Sequence, residues 1–168
     1  MRKFISMILM LILSISILTA CGGGEEITLA EVTTDQGVTL ELPNDMEKKS
    51  EILYADASGN AAVFQVMEYS EEEPISDWFE EAVAALIEQT YTDVEVTNFE
   101  NDNTINGNTG MVAYFTAKTT DGEDRGGAMV MLTDGTNNYI VNFVYRGENA
   151  EGFFATNLES ITNSITTN

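Results

Sequence analysis

The stretch "GGAMVMLTDGTNNYIVNFVYR", residues 126–146, carries the clearest signal for the fold. Two runs of apolar residues flank Asp134-Gly135, a dipeptide typical of the tight turn in a β-hairpin. In the second run, four apolar residues alternate on one face: Tyr139, Val141, Phe143 and Tyr145. The other face carries Ile140 and Val144 with two asparagines. Apolar residues on both faces predict a central strand that is covered on both sides.

Further strands are expected on either side of this hairpin. A strand over 111–119, followed by Asp121-Gly122, extends the hairpin into an antiparallel meander with strands at 127–133 and 138–146. Upstream, alternation predicts a half-buried strand over 38–42. Two further strands, 51–57 and 61–69, read as a hairpin, and another strand is expected over 93–100.

Two segments have helical spacing instead. Ser76 can cap a helix over about 77–89, in which Trp78, Ala82 and Leu86 share an apolar face with Phe79, Val83 and Ile87. Near the C-terminus, Phe154, Leu158, Ile161 and Ile165 form a second amphipathic stripe, in a context rich in threonine. We therefore expect an α+β fold, in which helices pack on an antiparallel sheet of about six to seven strands.

The first 20 residues have the form of a secretory signal. Arg2 and Lys3 precede an apolar run of 15 residues, Phe4 to Leu18, and small residues follow. The alternative is a retained membrane-spanning anchor, but such a helix needs roughly 20 apolar residues.

The end of this segment, Leu18-Thr19-Ala20-Cys21, resembles the lipobox of bacterial lipoproteins. The resemblance implies that Cys21 receives a diacylglycerol and becomes the first residue of the mature chain. The alternative is an unmodified thiol, which would leave a secreted protein with a single reactive cysteine. We expect a signal peptide over 1–20, a lipidated cysteine and flexible Gly/Glu leash over 21–26, and one domain over 27–168.

The amino-acid composition excludes several classes of function. The chain has 28 acidic and seven basic residues, and its formal net charge of −21 repels nucleic acid. It has no histidine and a single cysteine, which excludes Ser-His-Asp and Cys-His catalysis and ordinary zinc or copper sites. We expect no enzymatic activity, no cofactor, no catalytic residue and no metal ligand.

Several acidic or aromatic positions could still form a site. Asp102, Thr104, Asn106 and Gly107 match the start of a calcium loop, but Ala113 stands where that loop requires glutamate. We interpret this segment as a polar turn that ends at Asn106-Gly107. Other candidates are Glu71-Glu72-Glu73, read as a solvated loop, and Trp78, read as a core residue. A hairpin tip with Asp121, Glu123, Asp124 and Arg125 is read as exposed rather than partner-binding.

The layout also resembles the PsbP-like superfamily. The resemblance rests on "GVTLELPNDMEKKSE", "AVFQVMEYSEE…SDWFEEAVAALIE", "INGNTGMVAYFTA" and "YIVNFVYRGENAEGFFATNLESITNSI", within residues 37–166. It implies an antiparallel sheet between helices, an α/β/α sandwich. Known relatives act in assembly or interaction, but no functional residue can be transferred from them, since no motif matches position by position.

Together these observations predict a lipoprotein on the outer face of the bacterial cytoplasmic membrane. The expected partners are the membrane, through the lipid on Cys21, and an unknown protein; nucleic acid is not expected. The expected function is a non-enzymatic interaction or assembly module. Binding of a small ligand or cation is the alternative, and a carboxylate-based hydrolase is a remote one.

Overall fold

A computed structural model describes residues 26–68, 83 and 87–167. The described residues form two antiparallel sheets and two short helices. The strands are β1 (Leu29–Thr33), β2 (Val38–Pro43), β3 (Glu47–Ser50), β4 (Leu53–Ala55), β5 (Ala61–Glu68), β6 (Thr92–Ile105), β7 (Asn108–Lys118), β8 (Asp124–Thr133), β9 (Asn137–Arg146) and β10 (Thr166–Thr167). A 3₁₀ turn (Gly147–Asn149) precedes the helices α1 (Phe153–Thr156) and α2 (Leu158–Asn163).

The large sheet has seven strands in the order β3-β4-β5-β9-β8-β7-β6. The strand β9 is therefore its middle strand, which confirms the interpretation of its two apolar faces. The small sheet has the order β1-β2-β10.

One face of the large sheet packs against β2 and the C-terminal helices. The sheet contributes Phe64, Val130, Val141 and Phe143, among others, and β2 contributes Val38, Leu40 and Leu42. All four residues of the predicted C-terminal stripe are buried in this core: Phe154, Leu158, Ile161 and Ile165. The ring of Phe154 meets that of Phe143 edge-on, with centroids 6.1 Å apart.

The opposite face of the large sheet carries a second apolar cluster. Its members include Met111, Phe115, Met129, Met131 and Ile140 from the sheet. Val83 and Ile87, both in helical conformation, pack against it, as does Tyr91. The rest of the helix expected over 77–89 lies outside the described residues, except Glu88, which is helical, and Gln89, which is not.

The predicted fold class was wrong. We expected one sheet of about six to seven strands with helices packed on it, in an α/β/α sandwich. The described residues are instead mostly antiparallel strands in two sheets, and one face of the large sheet is covered by the small sheet together with two helices of four and six residues.

Three strands escaped prediction for identifiable reasons. All four residues of β3, Glu47–Ser50, are exposed and polar, so they show no apolar alternation. In β1, the partly buried residues are Leu29 and Val32, three positions apart. The expected C-terminal helix ends at Asn163, and Thr166 and Thr167 turn away to pair with β2, as suits their β-branched side chains.

The predicted hairpin and meander are present in the structure. The hairpin of β4 and β5 forms, and β7, β8 and β9 form the expected meander. In the part of the chain that the structure describes, we find no helix both long and apolar enough to span a bilayer.

Candidate functional site

The described chain starts at one end of the large sheet. Asn44, in the turn that follows β2, donates from Nδ2 to the Glu26 carbonyl oxygen at 3.4 Å. Its Oδ1 accepts the Thr28 backbone N–H at 3.2 Å. Asn44 therefore fixes the incoming chain beside the β2–β3 turn.

Strand pairing shows what else lies at this end. Glu47 pairs with Ala55, Ala55 with Ala61, Ala61 with Val144, and Val144 with Gly127. These five residues form a row across the sheet, and the β2–β3 turn lies just beyond it. Three cationic residues lie beyond the same row: Lys118, Arg125 and Arg146. We call the region around these three residues the basic end.

Arg125 and Arg146 face each other across neighbouring strands. They are direct partners in the register of β8 and β9, so their side chains leave the same face of the sheet. Beyond Arg2, they are the only arginines in the chain. Two like charges placed directly opposite each other are destabilising, which makes this pair unusual.

Arg125 is the more buried of the two. Its side chain is 14% exposed, and its Nη2 lies 2.7 Å from Oε2 of Glu123, whose side chain is 57% exposed. Its Nη1 donates to the backbone carbonyl of Asp124 at 2.9 Å. The guanidinium of Arg125 is thus held by the Asp124 carbonyl through Nη1 and by the Glu123 carboxylate through Nη2.

Arg146 lies over the β4–β5 turn. A Cβ at Gly59 would lie 3.2 Å from its Nε, so the side chain lies directly over this glycine. Its Nη1 reaches Oε1 of Glu148 at 3.5 Å, a loose contact with a side chain that is 72% exposed. The guanidinium of Arg146 is therefore held mainly by packing.

Both arginines lower the pKa of the Glu123 carboxyl group. Its pKa is lowered chiefly by the hydrogen bond from Arg125, then by the charge of Arg125, and to a smaller degree by the charge of Arg146. Tyr91 lies close by: burial raises the pKa of its phenol, while the charge of Arg125 opposes that rise. The pKa of Glu123 is thus set mainly by Arg125.

Each of the two guanidinium groups is already close to a carboxylate, Arg125 to Glu123 and Arg146 to Glu148. A guanidinium presents its N–H groups in a planar fork that matches a carboxylate, and such charge-assisted hydrogen bonds are stronger than neutral ones. Lys118 contacts Asp124 at 3.5 Å, and both residues lie on the opposite face of the sheet from Arg125, because successive residues of a strand alternate between faces.

The hairpin tip was thus read only in part correctly. Asp121, Glu123 and Asp124 are exposed as expected, but Arg125 is partly buried beside Arg146. The Arg125–Arg146 pair was not predicted, although it follows from the register of β8 and β9. Pairing Thr133 with Asn138 around the Asp134-Gly135 turn places Arg125 opposite Arg146 when it is continued along both strands.

The segment that resembled a calcium loop is a hairpin turn. Asn106 and Gly107 both have positive φ angles, 48° and 87°, and join β6 to β7. The Nδ2 of Asn106 donates to the carbonyls of Asn163 at 2.8 Å and Ile165 at 3.0 Å. This amide therefore serves as a donor to the chain end of α2, as a polar turn residue does and a cation ligand does not.

The other candidate residues lie outside the described residues. These are Cys21, the Glu71-Glu72-Glu73 run and Trp78. Within residues 26–68, 83 and 87–167, no group of three or more acidic or thiol side chains is placed to hold a metal ion.

The fold has counterparts among solved structures. Cyanobacterial PsbP (CyanoP) from Synechocystis matches with a TM-score of 0.60 at 13% identity, over 90% of this chain and 99% of its own. The Saccharomyces cerevisiae Ran-binding protein Mog1p matches with a TM-score of 0.59 at 9% identity, over 84% and 96%. LpqN of Mycobacterium tuberculosis, a protein involved in cell envelope biogenesis, matches with a TM-score of 0.58 at 14% identity, over 86% and 93%.

No protein-family model matches the chain, and neither does any curated protein. The likeness to these three structures concerns the arrangement of the backbone, since their sequences are at most 14% identical to this one. On that arrangement, the domain has the PsbP-like fold.

Proposed function

We propose that this chain is a bacterial lipoprotein whose PsbP-like domain acts as a non-enzymatic interaction or assembly module on the outer face of the cytoplasmic membrane. The observation that carries the proposal is the sequence Leu18-Thr19-Ala20-Cys21 directly after a charged and apolar leader. A diacylglycerol on Cys21 supplies two acyl chains, which is enough for stable anchoring.

The fold supports the second half of this proposal. One structural neighbour is a Ran-binding protein and another takes part in cell envelope biogenesis. Neither role transfers by fold alone, because a fold hosts many functions. Both are nevertheless compatible with a domain that binds other molecules and does no chemistry of its own.

If Cys21 carries lipid, the start of the domain lies close to the membrane. Cys21 precedes Glu26 by five residues, which span at most about 18 Å when extended. Asn44 holds Glu26 at the basic end of the large sheet. The flexible leash leaves the anchored domain free to reorient, with the basic end as the end nearest to its point of attachment.

Binding of a small ligand is the second candidate. The acidity of the chain, with a formal net charge of −21, is the observation that suggests a cation as the ligand. Binding of a small ligand is compatible with the lipid anchor, because the anchor concerns where the domain lies and the ligand concerns what it binds.

Site-specific photo-crosslinking in cells tests the interaction module. A crosslinking amino acid is placed at Asp121, on the exposed hairpin tip of the basic end, or at Thr136, in the exposed turn at the other end. We expect a discrete protein adduct from at least one position, recovered repeatedly from membranes. The matched control carries the same crosslinker with Cys21→Ser and should lose that adduct. Adducts with lipid alone, or none from either position, would contradict the proposal.

A further inference from the structure

The turn between β6 and β7 holds the only Asn-Gly dipeptide in the chain, Asn106-Gly107. In such a dipeptide the backbone nitrogen of the glycine can attack Cγ of the asparagine, because glycine has no side chain to hinder the approach. Both residues are exposed, and a Cβ at Gly107 would meet no other atom within 4 Å. Water and base can therefore reach the two atoms that would react.

In the folded protein the amide of Asn106 is held away from this reaction. Its Nδ2 donates to the carbonyl oxygens of Asn163 at 2.8 Å and Ile165 at 3.0 Å. Ring closure needs Cγ of Asn106 to turn towards the nitrogen of Gly107, and it needs Nδ2 to leave as ammonia. Neither can happen until both hydrogen bonds break. The C-terminal segment, residues 163–167, therefore protects this amide while it is docked.

We propose that Asn106 is a site of deamidation that is protected while the C-terminal segment is docked, and that its conversion loosens this segment irreversibly. The nitrogen of Gly107 bonds to Cγ of Asn106 and loses its proton to solvent, while Nδ2 takes up a proton and leaves as ammonia. Water then opens the resulting succinimide at one of its two carbonyls, which gives aspartate or isoaspartate. Water is the only co-reactant, and nothing is oxidised or reduced.

The product of this reaction cannot rebuild the contact. An ionised aspartate has no donor in place of Nδ2, and its carboxylate would face the two carbonyl oxygens that the amide served. Isoaspartate also adds a methylene group to the backbone of a turn in which Asn106 and Gly107 have φ angles of 48° and 87°. Each opening of the C-terminal segment thus exposes Asn106 to a change that favours the open state.

The C-terminal segment is also held by β2, and this contact can be weakened separately. The strand β10 pairs with β2, and Oγ of Ser164 accepts the backbone N–H of Glu41 at 2.8 Å. Ser164→Ala removes this hydrogen bond and leaves Asn106-Gly107 intact. If docking protects Asn106, this variant should deamidate faster while it remains folded.

The inference goes beyond the proposed function and does not depend on the lipid. The test uses the full chain purified in detergent, incubated in mildly alkaline buffer with and without guanidinium chloride, and followed by peptide mass spectrometry. In the denaturant we expect Asn106 to be the first asparagine that deamidates. In the folded protein the reaction at Asn106 should be about tenfold slower, because two hydrogen bonds must break before it starts.

Variants separate docking from general effects on α2. Ser164→Ala should raise the rate in the folded protein about threefold, since one of the hydrogen bonds that dock the segment is lost. The matched control is Ser160→Ala, which changes an exposed serine of α2 and should leave the rate unchanged.

The consequence for the fold is measured on aged wild-type protein. Anion exchange separates the deamidated fraction from the intact one, and hydrogen exchange compares the two. Residues 163–167 should exchange faster in the deamidated fraction, whereas β8 and β9 should exchange equally in both.

Four results would overturn the inference. They are equal rates at Asn106 in the folded protein and in denaturant, another asparagine that reacts first in denaturant, an unchanged rate in folded Ser164→Ala, and equal exchange of residues 163–167 in the two fractions. Because the protein is in detergent solution, these results are independent of whether Cys21 carries lipid in cells.

Discussion

Single residues in β8 decide how closely its neighbours can approach. A Cβ at Gly126 would overlap the ring of Tyr145. Tyr145 belongs to the neighbouring strand β9, and its ring extends over the glycine. A Cβ at Gly127, on the other face, would overlap the backbone carbonyl of Phe143. The first obstacle is a side chain and the second is the main chain, so the two glycines should respond differently to substitution.

We predict that Gly126→Ala lowers the free energy of unfolding by about 1–3 kcal/mol, because overpacking forces the Tyr145 ring to move. In a Tyr145→Ala background, Gly126→Ala should leave the free energy of unfolding almost unchanged. Urea unfolding of the four proteins in this cycle measures the coupling.

Gly127→Ala serves as the contrast, since no side-chain truncation can move the Phe143 carbonyl. It should destabilise the protein more than Gly126→Ala does. An equal cost of Gly126→Ala with and without the Tyr145 ring would show that the ring is not what requires the glycine.

Asp134 stabilises the turn between β8 and β9 through its charge. The backbone N–H groups of Thr136 and Asn137 donate to Oδ1 at 2.7 and 2.8 Å, and the Tyr139 hydroxyl donates to Oδ2 at 2.9 Å. These hydrogen bonds hold the pKa of Asp134 below its usual value of 3.8, and the bond from the Asn137 backbone has the largest effect.

A lowered pKa in the folded state makes the contribution pH-dependent. It is fully present above the unfolded pKa of about 3.9 and is lost as the pH falls through the lower folded value. We predict that Asp134→Asn destabilises the protein at pH 6 and that the difference from wild type shrinks towards pH 2. Urea midpoints across this range measure it. In Tyr139→Phe the pH-dependent difference should be smaller, and a difference that stays constant to pH 2 would show that the charge is not involved.

At the scale of elements, the end of the chain is held by a hairpin. Asn106 donates from Nδ2 to the carbonyls of Asn163 and Ile165, and Asn108 donates to the Thr167 hydroxyl at 3.0 Å. The β6–β7 turn thus fixes both the end of α2 and the start of β10.

Asn106→Asp keeps the shape of the side chain but removes both donors and places a carboxylate against carbonyl oxygens. We predict a loss of about 1–3 kcal/mol, measured by thermal unfolding, with faster hydrogen exchange in α2. Asn108→Asp is the matched control and should cost less, since the Thr167 hydroxyl can rotate to donate to the carboxylate. Similar losses for both variants would argue against the two-carbonyl clamp at Asn106.

Predictability also differed between elements. The alternation in β9 and the Asp-Gly turns revealed the meander, because both are local signals. The strands β3 and β10 were not predictable, since Glu47–Ser50 has no apolar face and Thr166–Thr167 becomes a strand only by pairing with β2. The Arg125–Arg146 pair was within reach, since it follows from the register of one hairpin.

At the scale of the whole molecule, the fold class depends on the pairing of distant segments. The small sheet joins β1 and β2 to β10. The local spacing of residues 154–165 predicted an amphipathic helix and carried no information about this pairing. That apolar side is buried as expected, but in two short helices beside the small sheet. Local periodicity therefore predicted which residues are buried better than it predicted which elements cover the large sheet.

The proposed function depends on the anchor at Cys21, because the anchor would make the domain a membrane-surface module. Intact-mass measurement of the protein extracted from membranes tests this most directly, with Cys21→Ser as the comparison. We predict a wild-type chain that begins at Cys21 and carries the mass of a diacylglycerol, and a variant that is either released or uncleaved. A wild-type protein of unmodified mass, or equal membrane retention of the variant with an unchanged mature mass, would contradict the account.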